Sequence, residues 1–151
     1  MMHRLFICLL GLAFAGCSAH HPFPGHDEEQ VWNAMKAVAQ SPDYKTAHYT
    51  KRWFIVNNFV EIDEENHVIE IDRELERILQ RPQTNPLYEK ANWIFTVRLL
   101  EGDPPVVEIE NRSMSLPTKF DFEAQRYFAD MQILLSPPMS PAVRDTTETT
   151  P

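Results

Sequence analysis

Glycine is scarce in this sequence beyond its first 16 residues, and that scarcity limits the sites that the chain can build. Only Gly25 and Gly102 follow Gly16. Phosphate-binding loops, dinucleotide-binding turns and the nucleophile elbow of α/β hydrolases each need two or more closely spaced glycines. Two isolated glycines can form none of these motifs. The sequence therefore excludes the commonest nucleotide-binding and serine-hydrolase sites.

The size and charge of the chain narrow its class further. A length of 151 residues is typical of one domain, and a hydrophobic share of 43% is enough for a packed core. The 14 basic residues face 22 acidic ones, which gives a formal net charge of −8. A general nucleic-acid binder needs a basic surface to neutralise phosphates. We therefore expect one globular domain and no nucleic-acid partner.

The first 16 residues have the pattern of a secretory signal. Arg4 precedes an apolar run over residues 5–14, and small residues follow that run. A membrane-spanning helix needs about 20 apolar residues, so this run is too short to remain in a bilayer as a span. A charged start, a short apolar stretch and a small-residue end predict a segment that directs export.

The end of this signal is more specific. The tetrapeptide Phe14-Ala15-Gly16-Cys17 resembles the lipobox of bacterial lipoproteins, although the family usually has leucine where this chain has Phe14. The resemblance implies cleavage after Gly16 and a diacylglyceryl group on the Cys17 sulfur. It also implies that a fatty acid such as palmitate acylates the new amino group. Because Ser18 rather than aspartate follows the cysteine, the resemblance favours the outer membrane, with the folded domain facing the periplasm.

The use of cysteine agrees with this interpretation. Cys8 would be removed with the signal and Cys17 would be acylated, so the mature chain would have neither a free thiol nor a disulfide. Loss of Arg4 would leave 13 basic residues against 22 acidic ones, a net charge of −9. Such a chain as a whole is not drawn to anionic headgroups, so the acyl chains would have to hold it at the membrane.

Composition divides the chain into four parts. Residues 1–16 are the predicted signal, and residues 17–26 form the lipidated cysteine and a tether with two prolines and a glycine. Residues 27–135 are the predicted domain. Residues 136–151, with four prolines and four threonines, are expected to be a disordered tail.

Hydrophobic periodicity predicts two helices and four strands in the domain. We expect helices over residues 27–40 and 120–135, and strands over residues 52–63, 67–75, 91–100 and 106–111. Residues 72–81 are compatible with either element, and we favour a strand to about Leu75 with a helical turn after it. The sum is an α+β fold: a small two-layer domain with an antiparallel sheet of about four strands, covered by an N-terminal and a C-terminal helix.

Two groups of residues could bind metal ions, and each has a simpler explanation. His20, His21 and His26 could hold a transition metal weakly, but the predicted tether offers no rigid scaffold. A set of carboxylates near the first hairpin could serve as acid and base or attract calcium, but it lacks calcium-loop spacing. These carboxylates, which we interpret as a solvated hairpin end, are Glu61, Asp63, Glu64, Glu65, Glu70 and Asp72.

Three arginines spaced four apart, Arg73, Arg77 and Arg81, would line one side of a helix and could clamp an anion. Glutamates lie among them, so neutralising pairs along the helix are the simpler explanation.

His48 or His67 could act as a general base for Ser113 or Ser115. The two serines lie in a loop without a nucleophile elbow. We therefore expect structural or surface histidines.

The strand over residues 52–63 carries apolar side chains at positions of both parities, which is unusual for a sheet with one face in water. Trp53 and Phe59 are therefore our candidates for a partner-binding face. We expect a non-catalytic accessory or protein-binding lipoprotein with no cofactor and no metal site. A carrier of a small ligand or a metal is the alternative, and a membrane-tethered hydrolase is the least favoured one.

Overall fold

The computed structural model describes residues 18–44, 52–113 and 117–136, with the side chains of residues 117 and 118 excepted. These residues form five strands and two helices. In chain order they are β1 (Ser18–Pro22), α1 (Glu28–Gln40), β2 (Phe54–Asp63), β3 (Val68–Leu79), β4 (Leu87–Leu100), β5 (Val106–Asn111) and α2 (Pro117–Leu135). Cys17, His48 and the tail after residue 136 lie outside the described residues.

The strands form one antiparallel sheet in the order β1-β5-β4-β3-β2. The prediction of about four strands is wrong, although the broad α+β class holds. The fifth strand, β1, comes from the segment that we interpreted as part of a tether. It pairs with β5 from Ser18 opposite Glu110 to Pro22 opposite Val106, which makes it an edge strand.

Contacts after β1 explain why so polar a segment is ordered. Phe23 is buried, and its amide donates a hydrogen bond to the carbonyl oxygen of Pro105. The ring of His21 stacks on Phe128 of α2 with centroids 5.2 Å apart, and its Nε2 lies 2.8 Å from the side-chain amide of Gln132. The segment is therefore held by both the sheet and α2.

One face of the sheet is buried beneath the helices. The buried side chains of β3, β4 and β5 on that face are Ile69, Ile71, Leu75, Trp93, Phe95, Val97, Leu99, Val107 and Ile109. Helix α2 adds Phe120, Ala124, Tyr127, Phe128 and Met131, as its periodicity predicted. The same periodicity predicts that Leu134 belongs to this buried stripe, and this prediction is wrong, because its side chain is 56% exposed. Tyr127 joins the two helices by donating to the carbonyl oxygen of Met35 at 2.6 Å.

Helix α1 matches its prediction closely and begins with a capping box. The Asp27 carboxylate accepts a hydrogen bond from the Gln30 amide at 2.8 Å, and the Gln30 side chain accepts one from the Asp27 amide at 3.2 Å. Both contacts satisfy amides that the first helical turn leaves unpaired.

Strand β3 is longer than we predicted, and the expected helical turn after Leu75 is wrong. It pairs with β4 as far as Leu79 opposite Leu87. Strand β2 stops opposite Glu76, so β3 and β4 continue past it as a two-stranded hairpin. We call residues 77–89 of this hairpin the β3–β4 arm.

Candidate functional site

A buried ionic network lies between α1, α2 and the sheet. Its members are Arg73 from β3, Glu123, Arg126 and Asp130 from α2, and Tyr44, which follows α1. Arg73 is fully buried, and Glu123 is almost so. Two guanidinium groups and two carboxylates balance one another, which limits the cost of removing these charges from water.

The geometry of the network centres on the Glu123 carboxylate. Its Oε1 accepts a hydrogen bond from Arg126 Nη2 at 2.6 Å and from the Tyr44 hydroxyl, and it lies 3.5 Å from Arg73 Nη1. Arg126 also donates from Nη1 to Asp130 Oδ2 at 2.7 Å. The Glu123 carboxylate thus contacts both arginines.

Arg73 also stabilises the end of helix α1. Its Nη2 donates to the carbonyl oxygen of Ala39 at 3.0 Å, and the Asn58 side chain donates to the same oxygen at 3.0 Å. Arg73 Nε donates in turn to Asn58 Oδ1 at 2.8 Å. The C-terminal carbonyls of a helix carry partial negative charge, so a buried cation suits this position. The network is therefore structural at its inner end.

Burial sets the protonation of the residues around Glu123. It raises the pKa of the Tyr44 hydroxyl, and the negative charge of Glu123 raises it further, so Tyr44 stays protonated and donates. Burial disfavours the charge on Arg126, but the contacts with Glu123 outweigh this and raise the pKa of its guanidinium. Burial also raises the pKa of Asp130, although nearby Arg126 lowers it. None of these shifts frees a base for catalysis.

A cleft of about 870 Å³ opens beside the network, between α2 and the base of the β3–β4 arm. Its aromatic and aliphatic lining residues are Tyr44, Trp53, Leu75, Ala91, Trp93, Phe122 and Ile133. Arg77 lies in the cleft with its guanidinium 4.4 Å from the centroid of the Trp53 ring and forms an ion pair with Glu89. The arginines in the lining are already paired with carboxylates, and seven of the lining residues are aromatic or aliphatic, so an uncharged apolar or aromatic group would find apolar contacts in the cleft.

A second candidate surface is the outer edge of β2. Its first three side chains, Phe54, Ile55 and Val56, and Phe59 further along are between 41% and 60% exposed. The register shifts between Ile55 and Asn57, so the alternation of side chains along β2 is interrupted there. β2 ends the sheet within the described part of the chain, so one row of its backbone groups has no strand to pair with.

The structure places our two partner-face candidates on different sides of the sheet. Trp53 is partly buried, packs against the core and lines the cleft on the helix side. Phe59 pairs with Asp72 on the opposite face, which no described helix covers, while the neighbouring Val60 packs inward. The role of each residue in binding stays a prediction, but the two do not form one patch.

The histidines of the N-terminal segment do not converge. His20 lies 3.1 Å from Glu108 in a half-exposed contact, whereas His21 packs against α2. Within residues 18–44, 52–113 and 117–136, no three His, Cys, Asp or Glu side chains are arranged to hold a metal ion. A hydrolase site would need a histidine buried beside a carboxylate, and the His20–Glu108 contact among the described residues is half-exposed.

The remaining predicted groups are separated. Arg73, Arg77 and Arg81 belong to a strand and its turn rather than to one side of a helix, and Arg81 donates to the carbonyl oxygen of Asn85. His67 packs edge-on against Trp32, with centroids 5.0 Å apart. Ser113 donates to the Asn111 side chain, and Ser115 lies outside the described residues. No nucleophile and base are brought together among the described residues of this set.

Reasoning from sequence missed the ionic network. One signal was available, because Ile69, Ile71, Arg73 and Leu75 share one parity along β3, and a charge inside an apolar alternation predicts a buried, partnered ion. We assigned that arginine to a set of surface pairs instead.

Comparison with known proteins gives no family for this chain: no family model matches it, and no curated protein matches it significantly. Among the described residues, neither helix is both long and apolar enough to cross a bilayer.

Proposed function

We propose that this chain is a lipoprotein of the bacterial cell envelope, held at the outer membrane by acyl chains on Cys17, with a non-catalytic domain that faces the periplasm and binds a protein partner. The anchor is supported by the lipobox-like residues Phe14 to Cys17 and by the signal that precedes them. Three acyl chains would make attachment effectively permanent, because each buried methylene contributes about 0.8 kcal/mol.

The exposed apolar edge of β2 is the observation that supports partner binding. An edge strand can accept a further strand from another protein through its unpaired amides and carbonyls, and side-chain contacts then supply specificity. Phe54, Val56 and Phe59 would provide the apolar contacts on this edge. Natural edge strands are usually protected by charge or proline, but residues 54–60 contain neither.

Mass spectrometry of the N-terminal peptide tests the anchor. We expect a triacylated Cys17 peptide in the outer-membrane fraction, and a Cys17→Ala variant that leaves that fraction. An unmodified N-terminus in soluble periplasm would contradict the anchor and leave the domain without its proposed address.

A matched pair of phenylalanine variants tests the partner surface. Phe59 and Phe122 are both exposed, but Phe59 lies on the open face by β2 and Phe122 lines the cleft. We would crosslink partners in cells from a photoreactive residue at position 57, which lies two residues before Phe59 on the same edge strand. Phe59→Ala should reduce the crosslinked yield about tenfold, equivalent to about 1.4 kcal/mol, whereas Phe122→Ala should not. Equal yields would contradict binding at β2.

The cleft supports a second candidate, a carrier of a small uncharged ligand. Its volume of about 870 Å³ lies within the usual range for ligand sites, and two indole rings line it. This candidate predicts the opposite outcome for the same pair: Phe122→Ala should lose ligand detected by native mass spectrometry, and Phe59→Ala should keep it. If native mass spectrometry detects no ligand on the unchanged chain, and neither variant loses one, the carrier function is contradicted.

A further inference from the structure

The β3–β4 arm exposes large apolar side chains without support from a neighbouring strand. Ile78, Leu87 and Tyr88 are between 37% and 71% exposed, and Ile78 lies directly opposite Tyr88 in the ladder. A two-stranded ribbon is only marginally stable in water by itself. An arm of this kind therefore gains most from a surface that covers its apolar side chains.

The chain enters the sheet from the side on which the arm projects. Ser18 pairs with Glu110, and Glu110 pairs with Thr96 of β4, whereas β1 ends at Pro22 opposite Val106, towards the other end of β4. Strand β1 therefore begins nearer the arm and runs away from it. From the level of Thr96, strand β4 extends to Leu87 in the arm, a distance of about 30 Å at roughly 3.3 Å per residue.

Covalent geometry places the anchor beside the first residue of β1. Consecutive Cα atoms are about 3.8 Å apart, so a lipidated Cys17 would hold Ser18 at the bilayer surface. The lipid would approach β1 from the arm side, because that is the end at which the strand begins. If the strands stood upright on the bilayer, a projection of about 30 Å on that side would enter it, so the domain has to lie over with the arm along the surface or turn the arm away.

The composition of the arm suits the headgroup layer. It contains Arg77, Arg81 and Glu89, a net charge of +1, while the whole chain carries −8. Tyrosine and arginine side chains can place their apolar parts among acyl chains and their polar ends among headgroups.

The backbone of the arm argues against deeper insertion. β5 stops at Asn111 opposite Phe95, so in the described part of the chain no strand covers that side of residues 87–93. Unpaired amides and carbonyls are too costly in hydrocarbon but are satisfied by water at the interface. The arm would therefore lie along the surface rather than cross it.

We propose that the β3–β4 arm lies on the bilayer that carries the Cys17 anchor, with Ile78 and Tyr88, which pair on one face of the arm, in contact with lipid. This inference rests on the proposed lipidation and adds an orientation to it. The opposite end of the sheet, where the β2–β3 turn carries Asp63, Glu64 and Glu65, then points away from the membrane. Contact of the arm with a protein or with a second copy of the chain is the competing outcome.

Site-specific fluorescence can test this orientation. The mature chain has no thiol besides that of Cys17, whose sulfur the lipid would block, so one introduced cysteine can be labelled selectively. We would purify the full lipidated chain as Tyr88→Cys and, as a matched control, Glu65→Cys at the opposite end. Each carries a nitrobenzoxadiazole label in vesicles of phosphatidylethanolamine and phosphatidylglycerol. The label at position 88 should emit at shorter wavelength, and nitroxide-bearing lipid should quench it several-fold more than the label at position 65.

The outcomes separate the anchor from the arm. If the chain does not float with the vesicles in a density gradient, both the proposed anchor and the proposed arm contact are contradicted. If it floats and lipid quenches both labels equally, the anchor stands and the arm contact is overturned. If the label at position 88 emits at shorter wavelength but nitroxide-bearing lipid does not quench it, the arm contacts protein and the proposed lipid contact is overturned. An Ile78→Cys variant, on the same face of the arm as Tyr88, repeats the measurement if Tyr88→Cys unfolds at lower temperature than the unlabelled chain.

Discussion

Replacing Glu123 with alanine removes a carboxylate that contacts both arginines of the ionic network. Arg73 is fully buried and would keep its hydrogen bonds with Asn58, Tyr44 and the Ala39 carbonyl oxygen, none of which is a charged partner. Removing one partner of a buried ion pair typically costs about 3–5 kcal/mol, because the remaining charge stays away from water. Small domains have a free energy of unfolding of only about 5–15 kcal/mol. For most values in that range, a loss of about 4 kcal/mol in Glu123→Ala is a third or more of the total.

Urea unfolding followed by tryptophan fluorescence measures this loss. Glu123→Gln keeps an acceptor oxygen and should lose less, about 1–3 kcal/mol. Gln125→Ala, at an exposed position of the same helix, is the matched control and should stay within about 0.5 kcal/mol of the unchanged chain.

A double variant checks the physical reason. If the cost arises from stranding Arg73, then Arg73→Met combined with Glu123→Ala should lose less than the sum of the two single variants, with a coupling of about 0.5–3 kcal/mol. A loss below about 1 kcal/mol for Glu123→Ala, or strict additivity in the double variant, would refute the view that Glu123 holds this network together.

Two further predictions concern helix α1: its N-terminal cap and its contact with the β2–β3 turn. Asp27→Ala removes the capping box and should lower the free energy of unfolding by about 1 kcal/mol, whereas Asp27→Asn should retain most of it; equal losses in thermal melts would contradict the capping role. Hydrogen bonds from Trp32 Nε1 and Lys36 lower the pKa of Glu64 below its ordinary value of 4.5. A lowered carboxylate pKa stabilises the fold above that ordinary value, and the contribution disappears as the pH falls through the folded-state pKa. The unchanged chain should therefore melt above Glu64→Gln near neutral pH and converge with it in acid, and a difference independent of pH would contradict the ionic contribution.

The elements with strong local patterns were predictable from the sequence. The prediction for α1 is confirmed, with Asp27 as its N-cap. Strand β4 lies where a strand was predicted, and its apolar residues Trp93, Phe95, Val97 and Leu99 share one parity and are all buried. In both cases neighbouring residues along the chain carry the signal, as apolar positions repeat at the period of the element.

Strand β1 was not predictable in this way. Its five residues include two histidines and a proline and show no apolar alternation, so nothing local distinguishes them from a linker. They form a strand because β5 offers an edge to pair with and because His21 and the following Phe23 pack on Phe128. Those contacts join residues about one hundred positions apart.

The sequence by itself determined the exclusion of glycine-dependent sites, the two helices, the cores of four strands and the lipobox-like start from which the anchor is proposed. These features depend on residue type and on spacing within a short window. Only the tertiary structure decided that the sheet has five strands, that Arg73 meets Glu123 from a distant helix, and that Trp53 and Phe59 lie on different sides of the sheet. Each of these depends on pairing and packing between distant segments, where the favourable contacts are formed only once the chain has folded.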